Sequence, residues 1–314
     1  RGVVVNSWCR WIGSLIALSS LVLLVSSCSR LSPTSSPSAS VATSTPAIKP
    51  AFIPPPVSKI TIMPGEVTRL VLPYDPRTEQ SVKLKCQERE VPLTKIAGEL
   101  VAFLSETYFS KGEEYRCSLY DKGYSRQVAL VTVGKKEYKK EFLKVDKKRV
   151  SLSKKDLARV GREQRVLNVL YRNQRGHLLF EEMFLAPLKS KITSIYGTKR
   201  IYNGNKKGQH LGTDFRAAVG TPIVAANSGE VVLARDLFFT GNTVIIYHGL
   251  SIFTVYGHLS KLLVSPGDRV LREDRIGLSG VTGRVTGPHL HWGVKVNGNW
   301  VDGFSLIRET AAHD

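Results

Sequence analysis

His210-Leu211-Gly212-Thr213-Asp214 and His289-Leu290-His291 are the two stretches on which the reading of this chain turns. Their residue types and spacings suit a zinc ion with one coordination position left open. A catalytic zinc typically keeps three protein ligands and one water. His210, Asp214 and His291 offer two imidazoles and one carboxylate, which leaves His289 close to the metal and free for another task. Residues two and four apart project from one face of a strand. Gly212, Thr213 and Phe215 favour extended chain over helix, so His210 and Asp214 are expected on one strand face. His289 and His291 open an alternating run to Val296, followed by Asn297-Gly298, a strong hairpin signal. Neighbouring strands carrying these rows would cradle a metal.

A further histidine stands in Tyr256-Gly257-His258-Leu259, after the alternating run Ile252–Tyr256, and is expected at a strand end. An imidazole exchanges protons near neutral pH. His258 and His289 are therefore the candidates for acid–base work and for stabilising an oxyanion. Tyr256 reads as a core residue. His177 and His313 lack metal-like neighbours and read as ordinary surface or core residues, and His248, before Gly249, reads as structural.

These residues stand in an ordered series that also includes Thr193-Ser194-Ile195-Tyr196-Gly197, Gly220-Thr221-Pro222-Ile223, Tyr247-His248-Gly249 and Thr286-Gly287-Pro288. From about Phe184 to about Leu306 the series resembles the lysostaphin-type (LytM-like) zinc metallopeptidases, which cleave peptidoglycan cross-links. The resemblance implies an antiparallel β domain with a zinc groove, Zn2+ held by His210, Asp214 and His291, and catalytic roles for His258 and His289. One of these two histidines would take the proton of a zinc-bound water and the other would stabilise the oxyanion, with the assignment left open. Peptidoglycan stems and cross-links would be the substrate, cut at a glycine bridge or a D-alanine-to-diaminopimelate link. The alternative is a non-catalytic peptidoglycan-binding lipoprotein that activates cell-wall amidases, as some relatives lacking zinc ligands do. The complete ligand set here argues against it.

The rest of the chain is organised around that domain. Its 314 residues carry a net charge of +19, which favours anionic partners. No zinc knuckle, helix-turn-helix or aromatic RNA-binding motif accompanies the charge, so nucleic acid is not expected. Residues 1–28 hold an apolar run, Trp11–Val25, and then Ser26-Ser27-Cys28, which resembles a bacterial lipoprotein signal. Cys28 would be lipidated, and Ser29 suggests sorting to an outer membrane facing the periplasm. Residues 29–57, rich in Ser, Thr and Pro, read as a disordered tether. Residues 58–150 alternate as β-structure, with Cys86 and Cys117 inward on separate strands. A small sandwich with a Cys86–Cys117 disulfide is expected there. Within 151–183, Ser153 and Asp156 predict a capping box opening a linking helix, with Leu157, Val160, Gln164, Leu167 and Tyr171 on one face. Residues 184–314 form the metallopeptidase-like domain. The expected fold is thus mainly β. The 28 Lys and Arg against 17 Asp and Glu between 29 and 186 suggest that the N-terminal part holds the chain near an anionic polymer without doing chemistry. The sequence does not set an oligomeric state.

Overall fold

Alternating apolar and polar residues generate β-structure through most of the computed structural model, which describes residues 56–73, 82–96, 98–121, 124–143, 152–172, 177–204 and 206–311. The lipoprotein-like segment with Cys28, most of the Ser/Thr/Pro-rich stretch and His313 lie outside the described residues. Among the described residues, no helix is long and apolar enough to cross a membrane.

The N-terminal part runs through β1 (Ser58–Ile62), β2 (Val67–Pro73), β3 (Lys83–Cys86), β4 (Arg89–Val91), β5 (Thr94–Ile96), β6 (Glu99–Ser105), β7 (Glu114–Asp121), β8 (Tyr124–Val133) and β9 (Lys140–Leu143). One sheet has the order β1-β8-β7-β3-β4 and a second the order β2-β6-β5. Cys86 and Cys117 face each other on β3 and β7 and form a disulfide, which therefore lies within one sheet. The second sheet is buried on both sides. Leu70, Leu72, Ala102 and Leu104 share a core with Leu84, Leu119 and Val131 of the first sheet. Val67, Val101 and Phe103, pointing the other way, belong to the core of the C-terminal part.

Next comes α1 (Lys154–Arg172), which starts as its sequence predicts. Ser153 Oγ accepts from Asp156 N at 3.1 Å and donates to Asp156 Oδ2 at 2.7 Å. Its packed face differs from the expected stripe. Leu167, Leu170 and Tyr171 rest on Tyr247 and Phe253, whereas Leu157 is exposed. The C-terminal half supplies the apolar contact, while Arg159 and Glu163 tie the N-terminal half to Asp236 Oδ2 and Phe238 N.

The C-terminal part contains β10 (Ile192–Ser194), β11 (Lys199–Tyr202), β12 (Lys206–Gln209), β13 (Thr213–Arg216), β14 (Pro222–Val224), β15 (Gly229–Leu237), β16 (Gly241–Tyr247), β17 (Ile252–Leu262), β18 (Arg269–Val270), β19 (Arg275–Ser279), β20 (His289–Val296), β21 (Asn299–Val301) and α2 (Gly303–Ala311). Its main sheet has the order β10-β13-β20-β17-β16-β15-β18. Tyr256 and Trp292 pair in register and point into the larger core. The alternating residues Val255, Gly257, His291 and Gly293 point to the opposite face, where α1 packs. Asn297 and Gly298, both at positive φ, make the expected tight turn between β20 and β21.

The two parts are joined by more than apolar contact. Ser305 Oγ of α2 accepts from Val67 N at 3.0 Å, and Glu309 Oε2 accepts from Arg69 N at 2.8 Å. Asn297 Nδ2 donates to Phe103 O at 2.6 Å. Strand β9 leaves the N-terminal part altogether and pairs in parallel with β11, in a small sheet of order β12-β11-β9.

Candidate metal centre

Strands β13 and β20 pair antiparallel with Asp214 directly opposite His291 and Arg216 opposite His289. Residues facing each other across such a pair lie on the same side of the sheet. That register alone brings the carboxylate to the imidazole. His210 arrives differently from the sequence expectation. It follows the end of β12 and is separated from β13 by a bend at Gly212, so His210 and Asp214 do not share one continuous strand. The bend requires glycine. A Cβ at position 212 would lie 2.5 Å from the His291 ring and 2.7 Å from the Trp292 carbonyl oxygen.

The three side chains converge. His210 Nε2 is 2.9 Å from Asp214 Oδ1 and 3.2 Å from His291 Nδ1, and His291 Nδ1 is 2.9 Å from Asp214 Oδ1. Four-coordinate zinc with bonds near 2.0–2.1 Å has ligand-to-ligand edges of about 3.3 Å. The triangle fits that ion closely, and its donor set of two imidazoles and a carboxylate suits it. Two of the candidate ligands, His210 and Asp214, are also oriented from behind, as metal ligands usually are. His210 Nδ1 lies 3.1 Å from both Ile195 O and Ser194 Oγ. Asp214 Oδ2 accepts from Arg200 Nη2 at 3.1 Å. Burial pushes the Asp214 carboxyl up, yet hydrogen bonds and charge from His210 and His291 outweigh it and hold the group well below the usual carboxylate range. Burial pushes the His210 imidazole down, toward the neutral form a metal needs.

His258 and His289 stand beside this triangle. The ring of His258 is 4.8 Å from that of His289 and 5.9 Å from that of His291. His289 Nδ1 donates to Gly287 O at 2.9 Å, which turns Nε2 toward Asp214 Oδ1, 3.8 Å away. His258 Nδ1 donates to Thr282 O at 2.9 Å. Both rings therefore carry a proton on Nδ1, which leaves Nε2 as the atom free to meet a substrate or water. Burial, and then the nearby His291 and His289, push His258 down to about 3, so this ring is neutral near pH 7.

His258 is not at the end of a strand. β17 continues to Leu262, and His258 interrupts it with φ of 64°. The pairing with β16 shifts register across this point, and on its other edge β17 passes from β20 to β19 as its partner. Such bulges re-aim side chains beside active sites. Thr240 O, accepting from His258 N at 2.6 Å, pins the irregular residue.

The remaining histidines behave otherwise. His248 is fully buried, with Nδ1 donating to Ser228 O and Nε2 2.7 Å from Thr254 Oγ1. His177 is exposed and away from the cluster. Tyr256 is a core residue whose hydroxyl accepts from Ala226 N at 2.8 Å. Sequence reasoning missed Arg200, which no motif marks, and the carbonyl acceptors of Ile195, Thr282 and Gly287. Backbone acceptors leave no trace in residue identity.

Comparison with known proteins agrees with this geometry. The family model "Peptidase family M23" matches residues 208–303, which contain all five site residues. Peptidoglycan DD-endopeptidase ShyA of Vibrio cholerae is 43% identical over 135 residues, 42% of this chain and 31% of ShyA. ShyC of the same organism is 41% identical over 131 residues, 41% of this chain and 30% of ShyC. The chain thus spans under a third of the length of these curated relatives. The solved structure of a candidate peptidase M23 from Pseudomonas aeruginosa matches with a TM-score of 0.62 at 28% identity. That match covers 79% of this chain and 95% of the other. By sequence across residues 208–303, and by fold well outside them, this chain carries a domain of peptidase family M23.

Proposed function

We propose that this chain is a zinc metalloendopeptidase that hydrolyses peptide cross-links of bacterial peptidoglycan. The observation that carries the proposal is the convergence of His210 Nε2, Asp214 Oδ1 and His291 Nδ1 beside two histidines whose Nδ1 atoms are both held by backbone carbonyls. His210, Asp214 and His291 would hold the ion. Zinc, when bound, lowers the pKa of its water toward neutrality and polarises a carbonyl. The protein's own contribution is arrangement. His258 and His289 stand side by side next to the ligand triangle, one to accept the water's proton and one to hydrogen-bond the oxyanion once protonated. Thr282 O and Gly287 O fix both rings before substrate arrives, so little reorganisation remains during reaction. The peptidoglycan substrate rests on the relatives' names and on the net charge of +19, which suits an anionic wall polymer. In the same proposal the chain is exported and anchored through lipid on Cys28, on the strength of the Val25-Ser26-Ser27-Cys28 run.

The test is metal analysis of the purified chain together with digestion of isolated sacculi. About one zinc per chain and release of cross-link cleavage products are expected, both lost in Asp214→Ala. A metal-free chain that leaves sacculi intact but stimulates an added amidase would favour the regulator. Mass spectrometry of protein from native membranes tests the anchor, and an N-terminus other than acylated Cys28 would rule it out.

A further inference from the structure

Arg200 is the cation in direct contact with the candidate ligands. It stands on β11 at the position paired with Glu141 of β9. Its Nη2 donates to Asp214 Oδ2 at 3.1 Å and to Ser194 Oγ at 3.0 Å. Its Nε lies 3.7 Å from Glu141 Oε2. Ser194 Oγ in turn sits 3.1 Å from His210 Nδ1. One guanidinium therefore reaches two of the three ligand side chains, Asp214 directly and His210 through Ser194.

The division of labour within Asp214 is the telling feature. Oδ1 faces His210 and His291, while Oδ2 is occupied by Arg200. A carboxylate can give a metal one oxygen or both. An oxygen that already accepts a charge-assisted hydrogen bond must break it before turning to a metal. Asp214 is only 10% exposed, so water is a poor substitute partner for Oδ2. Arg200 and Glu141 are 23% and 40% exposed, so their mutual attraction is partly screened and serves to aim the guanidinium more than to anchor it.

We propose that Arg200 is a positioning residue that confines Asp214 to metal binding through Oδ1 alone, and that β9 aims it through Glu141. This rests on reading His210, Asp214 and His291 as zinc ligands. The metal centre is then built from both parts of the chain, because β9 precedes the family-matched residues 208–303 by more than the whole of α1. Keeping the second oxygen off the metal preserves a low coordination number and an open place for water.

The experiment uses the full chain loaded with Co2+, whose visible absorption weakens as its coordination number rises. Arg200→Ala is expected to weaken it, with a fall in turnover of about 10–100-fold, the usual effect of removing a partner of a metal ligand. Arg200→Lys keeps a cation without the fork and should lie between. Glu141→Arg sets a like charge against Arg200 and should shift the spectrum the same way by less. A wild-type spectrum in Arg200→Ala overturns the proposal. Should that variant lose its cooperative melt, the decision passes to Arg200→Lys and Glu141→Arg, and wild-type spectra in both overturn it. A wild-type chain that takes up no cobalt, or an Asp214→Ala chain that takes it up as well as wild type, overturns the ligand reading itself and this proposal with it.

Discussion

His258 and His289 lie next to the ligand triangle without belonging to it, and their Nδ1 atoms are committed to backbone carbonyls. Replacing either by Ala should leave zinc content near one per chain. Turnover on soluble muropeptides should fall by about 10²–10⁴-fold, the range for a single acid–base group. A variant that turns over normally removes its residue from the mechanism. His248 supplies a different test. Burial pushes it down to about 4 from an ordinary value near 6.5, against a smaller upward effect of its bond to Ser228 O. The unfolded chain takes up this proton below about pH 6.5, and the folded chain only near pH 4. The stability it contributes is therefore complete above pH 6.5 and is lost as pH falls, by about 2–3 kcal/mol at pH 4.5. Urea unfolding at pH 7 and pH 4.5 should show a smaller acid loss in His248→Gln than in wild type. Equal losses would mean that His248 titrates normally. Ligand chemistry and ordered motifs picked out the five candidate site residues, which the structure brings close together. Arg200 was not picked out, because its role comes from the pairing of β11 with β9, and sequence separation hides that contact.

The site also depends on two irregular elements. One is the bend between β12 and β13, where a side chain at position 212 meets the His291 ring. Gly212→Ala should lower zinc per chain while leaving a cooperative melt, since the obstruction is local. Metal analysis of the folded variant decides this, and full zinc occupancy would show that the bend relaxes freely. The other is the bulge at His258. Periodicity read β17 as ending there, because a positive-φ residue breaks the alternation just as a strand end would. The same limitation shaped the reading of α1. Its capping box was visible in Ser153 and Asp156, but its packed face depends on the position of Tyr247 and Phe253, which no local pattern reveals.

Across the whole molecule, composition and alternation indicated a mainly β chain, and the structure has a β region ahead of the part that carries the candidate metal centre. The double burial of the β2-β6-β5 sheet was not visible, since a strand covered on both faces reads as a short apolar run in either setting. Its consequence for dissection is direct. Val67, Val101 and Phe103 each contribute about 1.5–3 kcal/mol by burial, an upper range that together rivals the stability of an ordinary domain. A chain starting at His177 should therefore melt without cooperativity or aggregate, whatever the N-terminal part does for polymer binding. A scanning calorimetry trace like that of the full chain would show the two parts to be independent. The same sheet governs timing during synthesis. Its outward face is complete once β6 has been made, yet α2, which caps it through Ser305 and Glu309, arrives about 200 residues later. At translation rates of 5–20 residues per second, that surface waits roughly 10–40 s for its cover. Throughout that wait the nascent chain presents an apolar patch to any chaperone that meets it.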